Sequence, residues 1–496
     1  MPLRLLIRAD ASPSIGTGHV MRCLALAHAI KASGGSVCFV ASEMPDFLRE
    51  KIIHDGYAYQ SLKKSAYGPD DAQETLAYAK AYEALWIALD GYAFDDMYRK
   101  ALQGKGIPLL ALHDFPAEYG VADVILNQNI GAERSAGAQP LSAQLLAGPR
   151  FALLREEFSK HKAKKASGSN ADNILVTLGG ADPSNVTRKI IEALAEMHLR
   201  HVTVVIGGAH PEKAVLEKAA KSAGFTCVSN ATNMPQLMEE ADIALAAGGT
   251  TTYELACMGV PMILLVLAEN QRDVAQQWER SGGAVNLGWH ADITPEAIRQ
   301  AVQSLRADPD KRSIMSKQCQ SFVDGYGALR VCQKLSEDPL WLRDAMTDDC
   351  MQIFGWANDP EARSASFSSA SIIEDDHRKW FTKKLTSPND RLSIAMDTDD
   401  LPVGLVRFAL EGNRATISIN LDKACRGKGY GTALIKQGCN RLFRTSDAKE
   451  VDAFIKPDNL ASIKAFQKAG FQERGLSEIH GQSALHMTIA RATMPV

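Results

Sequence analysis

The sequence predicts two doubly wound α/β halves followed by a third unit of α+β type. Three observations carry this. Short apolar runs alternate with helical stretches through the first two thirds of the 496 residues, as parallel sheets covered by helices require. The residues that end those runs are acidic or glycine-rich, which is where open parallel sheets hold ligands. After Ser336-Glu337-Asp338-Pro339 the rhythm changes to longer runs that read as antiparallel strands.

The first half, 1–147, has runs at Leu3–Ile7, Val37–Ala41, Leu85–Asp90, Leu109–His113 and Val124–Asn127. The second, 148–335, has Ile174–Leu178, His201–Ile206, Ile243–Ala247 and Pro261–Val266, with the polar stretch Lys160–Asp172 as the expected hinge. A helix is expected from Gly327 to about Lys334. The third unit, 340–496, opens with strands at Leu392–Ala395, Val403–Leu410 and Ala415–Leu421. A glycine-rich turn, the helix Ala433–Phe443, a strand Val451–Ile455 and another helix follow. A chain of this length exceeds the roughly 250 to 300 residues that one core can serve, so about three compact units are expected.

Composition removes several classes. Apolar residues make up 46% and charged residues 23%, ordinary for a globular protein and too polar for a membrane span. The net charge of -3 and the lack of a basic block argue against nucleic acid as a partner. Nine scattered cysteines with no Cys-x-x-Cys pair predict reduced thiols rather than disulfides or a zinc knuckle. The N-terminus lacks a signal-peptide pattern, so the cytoplasm is the expected location. Nothing in the sequence fixes the oligomeric state.

The first chemical constellation is Arg8-Ala9-Asp10 followed by Ile15-Gly16-Thr17-Gly18-His19-Val20-Met21-Arg22-Cys23, between a strand and a helix. A Gly-x-Gly-His turn brings backbone close to a ligand and sets His19 at a helix N-terminus. The helix dipole there disfavours imidazolium, so His19 is expected to be a neutral base near pH 7. Asp90 and Asp114 either orient His19 or satisfy loop amides, and the second role is the favoured one. The second half supplies Gly248-Gly249-Thr250 before Thr251-Thr252-Tyr253-Glu254. Its amides and hydroxyls suit a diphosphate on a helix N-terminus, and Glu254 suits ribose hydroxyls.

Together with Tyr92, Asn127-Gln128-Asn129, Gly179-Gly180-Ala181-Asp182-Pro183 and Ala268-Glu269-Asn270-Gln271, these motifs resemble the UDP-2,4-diacetamido-2,4,6-trideoxy-β-L-altropyranose hydrolases of pseudaminic acid synthesis, over residues 1 to about 330. The resemblance implies a GT-B-like pair of Rossmann-like halves, UDP on the second half, no metal, and hydrolysis between the anomeric carbon and phosphate. It implies His19 as the catalytic residue, with Tyr92 and Asn270 near the sugar. The substrate-binding residues it gives are Arg8, Asp10, Gly16, Gly18, Arg22, Tyr92, Gly179, Gly180, Gly248, Gly249, Thr250, Glu254, Asn270 and Gln271. One departure is Gly91, where the family often has histidine. Tyr92 is otherwise a packing tyrosine with one exposed tip.

The second constellation is Arg426-Gly427-Lys428-Gly429-Tyr430-Gly431-Thr432 after a strand, a row of amides for a pyrophosphate, followed by Pro457-Asp458-Asn459 to Phe466. With Trp356–Arg363 and His377–Phe381 it resembles the GNAT N-acetyltransferases, an α+β fold, over about 340–492. The resemblance implies acetyl-CoA as co-substrate, held by Arg426, Gly427, Gly429, Gly431 and Thr432, with Asn459 and Ser462 near its pantetheine arm. Many relatives place a tyrosine where this chain has Phe466, so their usual general acid is missing. His377 either shapes the acceptor site or is structural, and Glu411 and Asp422 read as solvated surface.

Joined, the two resemblances imply acetylation of the 4-amino group of a UDP-linked amino-deoxy sugar and removal of UDP from the product. Two other readings keep the same residues: a GT-B glycosyltransferase or epimerising UDP-N-acetyl-sugar hydrolase, and a non-catalytic sensor of UDP-sugar and CoA.

Overall fold

The computed structural model describes residues 2–12, 15–63, 67–114, 120–135, 143–161, 171–179, 182, 184–207, 210–229, 231 and 233–493. They fall into two compact units, one of Arg4–Ala29 with Ser36–Val331, the other of Met1–Leu3, Ile30–Gly35 and Cys332–Val496.

The larger unit contains two parallel sheets. The first is built from β1 (Arg4–Ala9), β2 (Ser36–Ala41), β3 (Ala58–Ser61), β4 (Trp86–Asp90), β5 (Leu109–Leu112), β6 (Val124–Asn127) and β7 (Gln144–Ala147), in the order β3-β2-β1-β4-β5-β6-β7. Its central strands are apolar without alternation because helices cover both faces: Leu5, Leu6 and Ile7 are all fully buried. The second holds β8 (Asn173–Thr177), β9 (His201–Ile206), β10 (Thr226–Ser229), β11 (Ile243–Ala247), β12 (Met262–Val266) and β13 (Ala284–Trp289), ordered β10-β9-β8-β11-β12-β13. In each sheet the chain reverses its direction of winding once, between β1 and β4 and between β8 and β11. The first loops after those strands therefore part and leave a crevice. Most of the expected hinge, 162–170, lies outside the described residues.

Two apolar clusters flank the second sheet. One face packs Ile174, Val176, Val204 and Leu245; the other packs Leu175, Ala244, Leu264 and Trp278. Trp278 is fully enclosed, 5.9 Å from the Tyr253 ring and 6.0 Å from that of Phe322.

The other unit is a mixed sheet of β14 (Trp341–Asp344), β15 (Asp390–Met396), β16 (Pro402–Glu411), β17 (Arg414–Leu421), β18 (Glu450–Ile455), β19 (Gln472–Ile479) and β20 (Gln482–Ala490), ordered β14-β15-β16-β17-β18-β20-β19. Neighbours are antiparallel except β17 and β18, which run parallel and pair over only three residues, Arg414–Thr416 against Glu450–Asp452. Beyond them the two strands diverge. The helix Tyr430–Thr445 covers one face, where Gly438 leaves room for Val406: a Cβ on it would come within 2.9 Å of that side chain. Among the described residues no helix is long and apolar enough to cross a membrane.

Replacing Trp278 by alanine empties the centre of one of these clusters and is expected to cost about 3 to 5 kcal/mol. A lowered denaturant midpoint for the larger unit checks this.

Candidate active sites

In the larger unit the turn into the helix Gly18–Ala32 is tight: Gly16 has φ 81°, and its N–H bonds the Ser12 carbonyl at 2.8 Å. The turn sets His19 in the first helical turn, with its Nδ1 at 2.6 Å from Asp90 Oδ1 at the end of β4. A carboxylate only accepts, so Nδ1 carries the hydrogen, and in the neutral imidazole the lone pair is then on Nε2. The approach of Arg22 Nη2 to Nδ1 at 3.3 Å is then a contact between two donors.

Asp90 is fully buried and also accepts from Arg22 Nε at 2.7 Å and Nη2 at 2.6 Å. Burial alone would raise its pKa, but the neighbouring Arg22 and His19 outweigh burial and hold the carboxylate far below its usual range. The role favoured from sequence, satisfying loop amides, is therefore corrected: Asp90 orients His19. Arg22 reaches on to Asp114 Oδ1 at 2.8 Å, and Asp114 Oδ2 accepts from the Tyr92 hydroxyl at 2.9 Å.

Tyr92 is 56% exposed and lies edge-on to His19 with ring centroids 4.9 Å apart, which overturns the packing alternative. Asn270, from the second half, donates to the Tyr92 hydroxyl at 3.1 Å. A second link between the halves was not legible beforehand. The Tyr253 hydroxyl donates to Asn129 Oδ1 at 3.0 Å, and Asn129 Nδ2 donates to the Asp114 carbonyl at 3.0 Å. The helix Thr251–Met258 is thus joined to the loop that carries Asp114.

That helix starts from Gly248-Gly249-Thr250 at the end of β11, and amides in a first helical turn have no intrahelical acceptor. Gly248 sits close to a neighbouring turn: a Cβ there would lie 3.1 Å from the Gln271 carbonyl oxygen, a tight contact. Gln271 is fixed by Leu267 N–H, which donates to its Oε1 at 2.9 Å. Gly179, at φ 91°, follows β8 on the other side of the crevice, and Gly180 lies outside the described residues. Burial pushes the Glu254 carboxyl up to about 7, with Arg155 pulling the other way.

Two expected substrate contacts are corrected. Arg8 has no exposed surface; it pairs with Asp10 Oδ1 at 2.7 Å and Asp71 Oδ2 at 2.8 Å, with Phe94 against its guanidinium. Arg22 directs its donors at Asp90 and Asp114 rather than outward. Both hold other groups in place. Asp10 is 3% exposed and its Oδ1 accepts from the amides of Ser42 and Glu43, so it organises the loop after β2.

In the other unit a cavity of about 930 Å³ opens where β17 and β18 part. Gly427 (φ 76°), Gly429 (φ 86°), Gly431 and Thr432 line one end, at the N-terminus of the helix Tyr430–Thr445. No side chain would fit the backbone at the first two without strain. Asn459 and Ser462 also line the cavity, with Asn459 Oδ1 capping its helix by accepting from Ser462 N–H at 3.1 Å. Glycine amides, a helix start and a split sheet together fit a pyrophosphate with a narrow amide arm. Arg426 is not free for the anion as expected: it is paired with Asp359 at 2.7 Å and Glu361 at 2.6 Å.

The remaining candidates settle into structural roles. His377 is buried, with Nε2 at 2.9 Å from the Cys350 carbonyl, and burial lowers its pKa. Asp422 accepts from Trp356 Nε1 at 2.9 Å and caps a short helical turn. Phe466 is buried against Phe471 and lines the cavity without offering a hydroxyl.

Comparison with known proteins agrees with this division. Residues 340–472 match the acetyltransferase (GNAT) domain, and 173–326 match the glycosyltransferase family 28 C-terminal domain. The UDP-2,4-diacetamido-2,4,6-trideoxy-beta-L-altropyranose hydrolase of Campylobacter jejuni is 24% identical over 283 residues, 56% of this chain and 97% of that protein. YwnH of Bacillus subtilis, whose name places it among phosphinothricin acetyltransferases, is 30% identical over 121 residues, 23% of this chain and 72% of its own. The crystal structure of Acinetobacter baumannii MurG superposes with TM-score 0.50 at 18% identity, over 68% of this chain and all of MurG. That likeness shows the GT-B-like fold of the paired sheets.

A carboxyl raised to about 7 is neutral in the folded state across pH 4.5 to 7 while its unfolded counterpart is charged. The stability it contributes is present at low pH and lost as pH rises through 7. Glu254→Gln should therefore match the parent protein in Tm near pH 4.5, and exceed it by a margin that grows to about pH 7 and then levels off.

Proposed function

The chain belongs to the GNAT acetyltransferases through its C-terminal unit, and from that premise we propose a bifunctional sugar-nucleotide enzyme. Its larger unit hydrolyses a UDP-linked 2,4-diacetamido-2,4,6-trideoxy hexose to UDP and free sugar, a step of pseudaminic acid synthesis. Its GNAT unit acetylates the 4-amino group of the precursor nucleotide with acetyl-CoA. The observation that carries the hydrolytic reading is the Asp90–His19 pair, with its free Nε2 beside a tyrosine that the second half touches through Asn270.

In this reading the diphosphate rests on the amides of Gly249 and Thr250, the Gly248 N–H being already donated to the Leu265 carbonyl at 3.2 Å, with Gly179 opposite and Glu254 at the ribose. Water attacks the anomeric carbon and His19 Nε2 takes its proton. The bond from that carbon to the phosphate oxygen breaks, and UDP leaves as an anion. Attack on the face opposite the diphosphate inverts the anomeric centre. Asp90 fixes the tautomer and offsets the charge that His19 gains. In the GNAT unit a neutral amine attacks the thioester carbonyl, the C–S bond breaks, and the proton lost by the amine is balanced by one that water returns to the CoA thiolate.

The family 28 match favours a second reading, in which the sugar passes to an acceptor instead of water. Incubation with acetyl-CoA and a UDP-4-amino-4,6-dideoxy-N-acetyl sugar, following CoA, UDP and sugar mass, separates the two. Free sugar without any acceptor supports hydrolysis; sugar released only onto an added acceptor overturns it, and deuterium at C2 would reveal epimerisation. His19→Ala should end UDP release and spare CoA release. Asp90→Asn should slow UDP release roughly 10²- to 10⁴-fold. Gly429→Trp should stop CoA release from the unacetylated nucleotide.

A further inference from the structure

One wall of the cavity in the GNAT unit lies outside the glycine turn and the Asn459 cap. It is formed by His377 and Trp380 of the helix Glu374–Thr386 and by Arg407, Ser418 and Asn420 of the sheet. Arg407 on β16 stands opposite Ser418 on β17 in the register. Its guanidinium lies against the Trp380 ring, 5.2 Å from the centroid. Among the described residues no hydrogen-bond acceptor meets it; the one charge that acts on it is Asp390, and only through space. The other cavity arginines differ: Arg426 is held by two carboxylates and Arg363 by the carbonyls of Ala357 and Ser368. Of the cavity's carboxylates, Glu361 is committed to Arg426, and Asp376 is exposed at the rim.

A part-buried guanidinium whose donors no side chain takes up is available to the acceptors of a ligand in the cavity, and it repels a cationic one. Its planar fork suits two oxygens of one anion. We propose that Arg407 is a specificity-determining residue of acetyl transfer, taking the phosphate oxygens of a nucleotide-linked amino sugar. This inference rests on the acetyl-transfer reading above and gives the order of its two steps a physical ground. Once the nucleotide has been hydrolysed away, the sugar has no anion for Arg407, so acetylation must come first.

The test measures initial CoA release in the full chain carrying His19→Ala, so that the nucleotide stays attached. Three amines are compared: the UDP-linked 4-amino sugar, the free 4-amino sugar and an amino acid. Arg407→Met should raise KM for the UDP-linked amine roughly ten- to a hundredfold, the loss of a charge-assisted hydrogen bond, with kcat within a few fold. KM for the free sugar should not rise, and Arg407→Lys should restore part of the effect. Unchanged affinity for CoA shows that the variant site is intact. Should Arg407→Met not fold, inorganic pyrophosphate must still compete with the UDP-linked amine in the Arg407 protein.

Equal KM for free and linked sugar before substitution, or an equal rise for both after it, overturns the inference while acetyl transfer stands. Preference for the amino acid makes the bound anion a carboxylate and overturns the phosphate assignment. No CoA release with any of the three overturns the acetyl-transfer reading itself.

Discussion

The larger unit depends on one enclosed carboxylate. Asp90 has no exposed surface and answers at once to His19 and to two nitrogens of Arg22. An ion pair so deep is expensive to assemble, and removing Arg22 would strand a charge without water. What the arrangement secures is direction: the imidazole can present only one nitrogen outward. The strand order makes it possible. With β1 beside β4, the helix that follows one strand starts over the final residue of the other, and three residues from distant parts of the sequence meet without a long loop.

The second sheet applies the same topology to different chemistry. Where the first ends its switch-point strands in acids, the second ends them in glycines, so the crevice is lined by backbone rather than by charge. Gly248 shows one reason, since its neighbour Gln271 crowds the place a side chain would take. Tyr253 then ties the two arrangements together. It is rooted in the apolar layer around Trp278, yet its hydroxyl serves Asn129 in the other half. Core packing and site geometry are one construction there.

How much of this could be read from the sequence follows a physical line. The unrecognised strands β3, β7, β10, β13, β14 and β19 are the outermost strands of the three sheets. An edge strand packs on fewer neighbours, so it needs less apolar content: Ala58–Ser61 reads Ala-Tyr-Gln-Ser and is mostly exposed. β20 is interior and was missed despite its alternation. The glycine turns and His19 were legible because chemistry and local geometry coincide within ten residues. The duties of Asp90, Asp114 and Asn129 were not, since each is set by partners 15 to 124 positions away. Arg8 and Arg22 misled for a related reason: a motif marks that a residue matters near a site and is silent on whether it faces the ligand or supports what does.

The early parting of β17 from β18 has a consequence for the sheet that contains it. From Ile417 and Ala453 onward each strand keeps a ladder on its outer side while its inner side has none, so the interior of a seven-stranded sheet holds a frayed seam. Peptide groups along such a seam seek company, and a slender guest with amides of its own can lie between the strands much as a missing strand would. Recessed under helices, the seam avoids the hazard of an outward edge, which would recruit other copies of the chain. The fold thereby turns incomplete pairing into a berth.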